Sequence, residues 1–453
     1  MPRHTDTIAA LATPAGTSAL AILRISGSDT KSVAMSALGA PPPPRVATHG
    51  HYRDTAGVVL DDVVAVFYAG PNSYTGEDSL EICCHGNPFI ARRILADLLH
   101  RGCRPAGPGE FTQRAFLNGR MDLSQAEAVM DLITARSERS LAAARAVLEG
   151  ALSRHLAGLV DGLLGALATV EAYIDFPEED LPQENRSALA TRVAAVLAGA
   201  ERLLATERTG ALLRGGIATV ILGEPNAGKS SLLNRIVGSD RAIVSEEPGT
   251  TRDFIEIHVN VGPHGLRLVD TAGVNPAAKG PEAQGVAKTL EQAAKADLIL
   301  LVVDSSRPFF PLAPEIAFRI RPSNTIVVMN KADLAPLPGC SSALPPAGFP
   351  VVEVSALTGA GVEELLREIA RAASALEETV GEERIAINVR HAHYLAEARD
   401  CLGAALEKIR EQGPAELLAS DLRGALHAFG EISGKVDNER MLDQLFASFC
   451  IGK

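Results

Sequence analysis

One stretch limits the folds open to this chain more than any other: Gly223-Glu224-Pro225-Asn226-Ala227-Gly228-Lys229-Ser230-Ser231. The apolar run from Ile217 to Leu222 precedes it and the helical pattern Leu232-Leu233-Asn234-Arg235-Ile236 follows, so it reads as a turn from a strand into a helix. That is the setting of a phosphate-binding loop. Glycines at both ends let backbone N–H groups converge on phosphate oxygens, Lys229 adds a mobile cation, and the Ser230 hydroxyl is a candidate magnesium ligand.

Around this loop, residues 213–377 alternate strands and helices. The strand centres are Val220, Leu266 to Val269, Leu298 to Val303, Thr325 to Met329 and Val351 to Val354, a pattern that predicts a parallel sheet with helices on both faces. Further short motifs arrive in order. Pro248-Gly249-Thr250-Thr251-Arg252-Asp253 offers the Thr251 hydroxyl to magnesium within a mobile switch segment. Asp270-Thr271-Ala272-Gly273 ends a strand, placing a carboxylate by the magnesium shell and the Gly273 N–H toward a γ-phosphate. Asn330-Lys331-Ala332-Asp333 bears on the choice of base: the Asp333 carboxylate can accept two hydrogen bonds from the N–H groups on guanine's pairing edge, which adenine lacks. A missed pair of this kind discriminates by roughly 10⁴ or more. Ser355-Ala356-Leu357 then supplies backbone N–H groups to the guanine oxygen. Each motif alone is short; their order predicts an α/β P-loop domain that binds and hydrolyses GTP. Val274 stands where many such enzymes carry a glutamine to orient the attacking water, so hydrolysis needs another arrangement here.

The rest of the chain is organised around this insertion. From Thr7 to Ile25 short strands flank a turn at Pro14 and Gly16. Val63 to Tyr68 and Leu80 to Cys84 read as strands, and Pro88 to Leu99 as a helix, giving an N-terminal α+β domain over 1–118. Pro41 to Pro44 reads as an extended surface loop. A leucine-rich stripe from Leu148 to Ile174 and a second helix from Ser187 to about Thr206 are helical, as is the region after Glu378. Neither of the first two can bury its stripe alone, so 119–212 and 378–453 are read as one all-α domain split by the insertion at 213–377.

A chain of 453 residues that is 46% hydrophobic has the length for about two to four cores, and its formal charge of −12 argues against coating nucleic acid by bulk electrostatics. Any RNA contact must use a local basic patch or a partner. The six cysteines show no paired C-x-x-C spacing, which suggests neither a disulfide framework nor a zinc site, and Cys83 and Cys84 alternate to opposite faces of a strand. The N-terminus lacks a charged-then-apolar leader, and no apolar run is read as approaching the ~20 residues that span a bilayer. The expectation is a soluble, cytoplasmic protein.

At this point the residues resemble the MnmE (TrmE) family of GTPases, which modify the wobble uridine of tRNA. Besides the nucleotide motifs, the resemblance rests on Asp6-Thr7-Ile8, Leu23-Arg24-Ile25-Ser26-Gly27, Tyr74-Thr75-Gly76-Glu77-Asp78, Gly109 to Asn118, Asp122 to Ala128 and the terminal Cys450-Ile451-Gly452-Lys453, and it covers the entire chain. It implies a multidomain architecture with an N-terminal folate-binding and dimerising domain. The matching positions imply Arg24, Glu81, Arg120 and Lys453 as contacts to a 5,10-methylene- or 5-formyl-tetrahydrofolate. By the same resemblance hydrolysis is stimulated by potassium, held by Asn226 with Ser245, Glu247 and Thr250, the neighbouring Glu246, Pro248 and Gly249 belonging to the same nucleotide-binding segment. Glu282 matches the water-orienting carboxylate. The implied partners are a second copy of the chain, a flavoprotein resembling MnmG in a heterotetramer, and tRNA, with no membrane.

Three departures bear on this. Arg120 stands where related sequences commonly have lysine, Asn87 replaces a usual second glycine after His85-Gly86, and Glu246-Glu247 puts negative charge beside the switch. Cys450 is open to two readings, a nucleophile toward carbon 6 of uridine or a packing residue. Two other functions also fit the parts: an Era-like RNA- or ribosome-binding switch without modification chemistry, and a stand-alone folate-dependent methyltransferase with a regulatory GTPase domain.

Overall fold

The computed structural model describes residues 6–175, 183–239, 242–245, 256–270, 291–307, 317–335, 348–377, 385–434, 445–446 and 449–452. The chain divides into two compact units, residues 1–130 with 430–453 and residues 131–429.

In the first unit β1 (Ile8–Leu11), β2 (Leu20–Ser26), β3 (Thr48–Arg53), β4 (Val59–Tyr68), β5 (Ser79–His85) and β6 (Arg104–Pro105) form one sheet in the order β3-β4-β5-β2-β1-β6. Neighbours are antiparallel except β1 and β6. Alternation along β2 and β5 buries Leu23, Ile25, Leu80 and Ile82 in one cluster with Val33 and Ala34 of helix α1 (Thr30–Leu38) and Ile94 and Leu98 of α2 (Pro88–His100). The other face of these strands carries Arg24 and Glu81, directly paired across β2 and β5. Helix α2 starts where its sequence requires, with the Asn87 side chain accepting from the Phe89 N–H and Pro88 in the first turn. α3 (Glu110–Leu117) and α4 (Leu123–Thr134) follow, and Phe446 and Phe449 pack with Leu123 and Ala126.

The sequence reading had no α1, and β4 begins at Val59 rather than Val63. Ser28, Asp29 and Thr30 resemble a loop in composition, whereas the Thr30 side chain turns back to the Gly27 carbonyl at 2.8 Å and opens the helix.

The second unit opens with α5 (Glu138–Leu148), α6 (Ala151–Asp175), α7 (Gln183–Leu204) and α8 (Glu207–Gly215). The predicted stripe beginning at Leu148 is broken at Glu149-Gly150, so Leu148 ends one helix and Leu152 begins the buried face of the next. Leu156, Leu159, Leu163, Leu167 and Val170 continue that face, and α7 packs on α6. The sequence reading finds no apolar run of bilayer length; by length and composition alone α6 is long and apolar enough to cross one, although it is broken by polar residues such as Ser153, Arg154, His155 and Asp161. The helix read as Ser187 to Thr206 starts earlier, at Gln183, and α8 was not foreseen.

β7 (Ile217–Gly223), α9 (Lys229–Val237), β8 (Ala242–Ser245), β9 (Glu256–Val261), β10 (His264–Asp270), β11 (Leu298–Asp304), β12 (Thr325–Asn330), β13 (Val351–Glu353) and α10 (Val362–Leu376) build the inserted α/β part. Its sheet runs β13-β12-β11-β7-β10-β9-β8. The five strands from β13 to β10 are parallel as expected, but β9 and β8 extend the sheet antiparallel. β7 and β11 are buried along their length because both faces are covered. Leu298, Leu300 and Val302 join one apolar cluster with Leu232 and Ile236 of α9 and Leu365 and Ile369 of α10, while Ile299, Leu301 and Val303 join a second. This clamping fixes the C-terminal ends of β7, β11 and β12, where the candidate site lies. α11 (Val389–Glu411), packed on α7, and α12 (Ala415–Ser433) complete the helices.

Candidate functional site

At the C-terminal end of β7 the chain turns through Gly223 to Gly228 and enters α9 at Lys229. Asn226 takes the left-handed conformation, φ 64°, which asparagine tolerates better than most residues. The buried Lys229 ammonium reaches back over the turn to the carbonyls of Gly223 at 3.1 Å and Glu224 at 2.7 Å. The loop therefore already curls around a cation, with the helix N-terminus beneath it. Ser230 and Ser231 follow on the exposed side of the first turn.

Asn330, at the end of β12 and buried, connects three of the predicted motifs. Its Nδ2 donates to the Ala227 carbonyl at 2.8 Å and its Oδ1 accepts from the Ala356 N–H at 3.0 Å. Gly228 is what permits this approach, since a Cβ there would lie 2.2 Å from Asn330 Nδ2. Ala227 and Ala356 are both buried, whereas Leu357 is exposed. Asp333 is exposed one turn beyond Asn330. Together with Gly228, Asn234 and Arg235, these segments enclose a cleft of about 580 Å³.

Lys331 does not stand alone. Its ammonium donates to Asp304 Oδ2 at 2.7 Å, and Ser306 donates to Asp304 Oδ1 from its N–H at 3.0 Å and its hydroxyl at 2.6 Å. Burial pushes the Asp304 carboxyl up, but the hydrogen bonds from Lys331 and Ser306 and the Lys331 charge outweigh it and hold the group below the ordinary carboxylate range.

A second constellation lies in the first unit. Arg24 donates from Nε and Nη2 to Glu81 Oε1 at 3.0 and 2.8 Å, and from Nη1 to the Gly452 carbonyl at 3.2 Å. Its guanidinium carbon is 5.7 Å from the ring centroids of both Tyr74 and Phe111. Burial raises the Tyr74 hydroxyl above its ordinary pKa, although hydrogen bonding with Thr112 and the Arg24 charge pull it back. The C-terminal tail is held by its backbone: the Gly109 N–H donates to the Cys450 carbonyl at 3.3 Å, Ile451 pairs with Pro108, and a Cβ on Gly452 would lie 2.6 Å from the Leu11 carbonyl. The Cys450 residue is exposed. The stem of Arg120 passes Gly76, on the same loop as Tyr74.

A family model described as the MnmE helical domain matches residues 123–450, and one described as GTP-binding protein TrmE N-terminus matches residues 7–120. The chain is 58% identical over 453 residues to the tRNA modification GTPase MnmE of Opitutus terrae, covering 100% of both. The chain belongs to the MnmE family of tRNA modification GTPases. Other members include those of Symbiobacterium thermophilum, 44% identical over 99% of each chain, and Aquifex aeolicus, 42% identical over 99% of this chain and 100% of the relative.

Of the residues singled out on sequence grounds, the MnmE fold brings Asn226, Ala227, Gly228, Lys229, Ser230, Ser231, Asn330, Lys331, Asp333, Ser355, Ala356 and Leu357 to the ends of β7 and β12, and gathers Arg24 and Glu81 with the tail. Ser245 and Asp270 are described only as the ends of β8 and β10. Glu246, Glu247, Pro248, Gly249, Thr250, Thr251, Thr271, Ala272, Gly273, Glu282 and Lys453 lie outside the described residues. Sequence reasoning missed Asp304, Arg235 and Tyr74 as members of these sites. Asp304 could have been found from its place at the end of a wholly apolar strand, where a lone carboxylate needs a partner.

Proposed function

We propose that this chain hydrolyses GTP and that hydrolysis drives installation of an aminomethyl or carboxymethylaminomethyl group at carbon 5 of the wobble uridine of tRNA. The observation that carries the nucleotide reading is the buried Asn330 bridge, which joins the phosphate loop to the Ser355-Ala356-Leu357 loop beside Asp333. On this reading Lys229 exchanges its two carbonyl partners for phosphate oxygens, and the Asp333 carboxylate accepts from the guanine pairing edge.

The oxygen donors of Ser230 and Thr251 suit magnesium, and those of Asn226, Ser245, Glu247 and Thr250 suit a monovalent cation. Potassium there supplies the positive charge that other GTPases take from an arginine, worth roughly 10³ to 10⁵ in rate. Glu282 orients the attacking water in place of the glutamine that Val274 replaces. The first unit binds a reduced folate through Arg24, Glu81, Arg120 and Lys453: the carboxylate suits the pterin's amide-like edge, the cations suit the glutamyl tail, and Tyr74 and Phe111 offer flat apolar faces. The folate supplies the one-carbon unit when bound. In this scheme 1–118 is the folate-binding and dimerising domain, 213–377 the GTPase, and 119–212 with 378–453 the helical domain that couples them. A flavoprotein resembling MnmG completes a heterotetramer in the cytoplasm.

The test is mass spectrometry of wobble nucleosides from cells with and without the protein, beside GTP turnover in potassium and in sodium for the wild type and Asn226→Ala. Loss of the modified nucleoside and of the potassium stimulation is the expected result. An unchanged nucleoside profile would remove the modification role, and equal rates in both salts would remove the cation site.

A further inference from the structure

We infer, resting on the reduced-folate reading of the first unit, that Glu77 is a positioning residue for that site: it holds the loop bearing Tyr74 against the sheet face that carries Arg24 and Glu81. Two sequence motifs, Tyr74-Thr75-Gly76-Glu77-Asp78 and Gly109 to Asn118, contribute only Tyr74 and Phe111 to the folate reading itself. In the β2–β5 register Arg24 pairs with Glu81 and Ser26 with Ser79, so by alternation these four side chains share one face of the sheet. The loop meets that face at Ser26. Thr75 Oγ1 lies 2.7 Å from Ser26 Oγ and 3.2 Å from Ser79 Oγ, and Ser26 Oγ lies 2.7 Å from Glu77 Oε2. A carboxylate only accepts, so Ser26 donates to Glu77. With its one proton spent, Ser26 accepts from Thr75, and Ser79 donates to Thr75 in turn. Three buried hydroxyls therefore point one way and end on one carboxylate.

The same carboxylate accepts from Arg114 Nη1 at 3.3 and 3.2 Å. Arg114 is buried and is fixed independently of the loop, through Nη1 to the Asp6 carbonyl at 2.9 Å and through Nη2 to Asp6 Oδ1 at 2.8 Å and Glu110 Oε1 at 2.9 Å. Of these carboxylate partners, Glu77 is the one that belongs to the loop. Tyr74, three residues earlier, is held more lightly: its hydroxyl lies 2.9 Å from Thr112 Oγ1, and the Thr75 carbonyl beside it accepts from Asn118 Nδ2 at 2.7 Å. These are neutral bonds, whereas the Glu77 contact with Arg114 is charge-assisted and about twice as strong. Anchored in this way, the Tyr74 ring rests with its centroid 5.7 Å from the Arg24 guanidinium carbon. The bonds from Arg24 to Glu81 involve neither Glu77 nor Arg114, so releasing the loop leaves that pair in place.

The test is calorimetric titration of 5-formyltetrahydrofolate into the full-length protein and into four variants: Glu77→Gln, Glu110→Gln, Tyr74→Ala and the Glu77→Gln/Tyr74→Ala pair. Glu77→Gln keeps the size of the side chain and removes its charge, and affinity should fall about tenfold. Glu110→Gln takes from Arg114 a partner that lies outside the loop, and affinity should stay within about twofold of wild type. Because Glu77 acts through the placement of Tyr74, adding Glu77→Gln to Tyr74→Ala should cost less than about twofold more. Hydrogen exchange of the ligand-free protein supplies a second readout: residues 73–79 should lose protection in Glu77→Gln and keep it in Glu110→Gln. Unchanged folate affinity in Glu77→Gln, an equal loss in Glu110→Gln, or losses that multiply in the double variant would each overturn the inference. Should Glu77→Gln not fold, Ser26→Ala removes the other donor to the same carboxylate; a loss of about threefold supports the inference and unchanged binding overturns it. A wild type that does not bind the folate at all refutes the folate reading and the inference with it, an outcome distinct from any difference among variants.

Discussion

Substituting Gly228 by alanine isolates the contact on which the nucleotide cleft depends. The residue has φ 94°, and an added Cβ would lie 2.2 Å from Asn330 Nδ2. An L-residue at this φ costs about 1–2 kcal/mol. The collision is with a buried amide that cannot retreat without releasing the Ala227 carbonyl or the Ala356 N–H, each held at 3.0 Å or less. Leaving such groups unpaired costs about 1–3 kcal/mol. Taken together the arrangement that binds nucleotide is disfavoured by about 4 kcal/mol, and because affinity falls with the populated fraction, GDP should bind roughly 10³-fold more weakly. Asn330→Ala alone forfeits the two hydrogen bonds and should cost roughly 10²-fold. Since most of the Gly228→Ala penalty acts through Asn330, the double variant should be only about tenfold worse than Asn330→Ala, a coupling that calorimetric titration of all four proteins measures. Losses that simply multiply would refute the reasoning, because the added methyl would then act without the bridge.

Asp333→Asn should weaken GDP binding by roughly 10² or more and favour xanthosine diphosphate, whose altered edge pairs with an amide; unchanged GDP affinity would remove the base-reading role. In the first unit, burial raises the Glu110 carboxyl, but Arg104, the Gly107 N–H and Arg114 outweigh it and lower its pKa, as Arg104 and Arg114 do for Asp6 against the same effect. Such groups add stability above the unfolded carboxylate value of about 4 and lose it as pH falls through their lowered folded values. Protection of β1 and α3 against hydrogen exchange, taken relative to the intrinsic rate at each pH, should therefore fall below about pH 4, less steeply in Glu110→Gln, and equal acid sensitivity would argue against the pair. Arg24 holds the Gly452 carbonyl, so a chain ending at Phe449 should lose binding of reduced formylfolate in titration while Cys450→Ser keeps it; intact binding in the truncation would free the tail from the site.

Much of this was legible in the sequence because its signals are local. A strand, a glycine-rich turn and a helix within the span from Ile217 to Val237 are one contiguous pattern, and the structure keeps it nearly residue for residue. Parallel strands buried on both faces read as plain apolar runs, which is why β7, β11 and β12 were found. β8 and β9 were not, since Ala242 to Ser245 and Glu256 to Val261 are short segments, identifiable as strands chiefly through their pairing. The antiparallel addition to the sheet followed from the tight turn at Gly262-Pro263 between β9 and β10, where a parallel crossover would need far more chain. Asn330 was assigned to base recognition as part of a motif. Its role as a bridge between two backbone groups, one of them 103 residues away, carries no local signature.

The same limit governs the buried ionic cluster between α5, the β9–β10 turn and the end of α10. His264 Nδ1 lies 2.8 Å from Glu377 Oε2 and its Nε2 lies 3.0 Å from Ser374 Oγ, Arg139 Nε is 3.0 Å from the same Glu377 oxygen, and the Arg139 N–H donates to the Pro263 carbonyl at 3.2 Å. In sequence these residues are four scattered polar positions, each at the edge of an element and each indistinguishable from a solvated surface residue. In the fold, His264 and Glu377 are almost fully buried. Removing charges from water costs several kcal/mol per ion, so the cluster is weak evidence for added stability. It is stronger evidence for geometry. A buried carboxylate that must face both an imidazole and a guanidinium tolerates few relative placements of the elements carrying them, whereas an apolar contact would tolerate many. The strand turn that links β9 to β10 is thereby held in register with the first helix of the second unit by charges that have no other place to go.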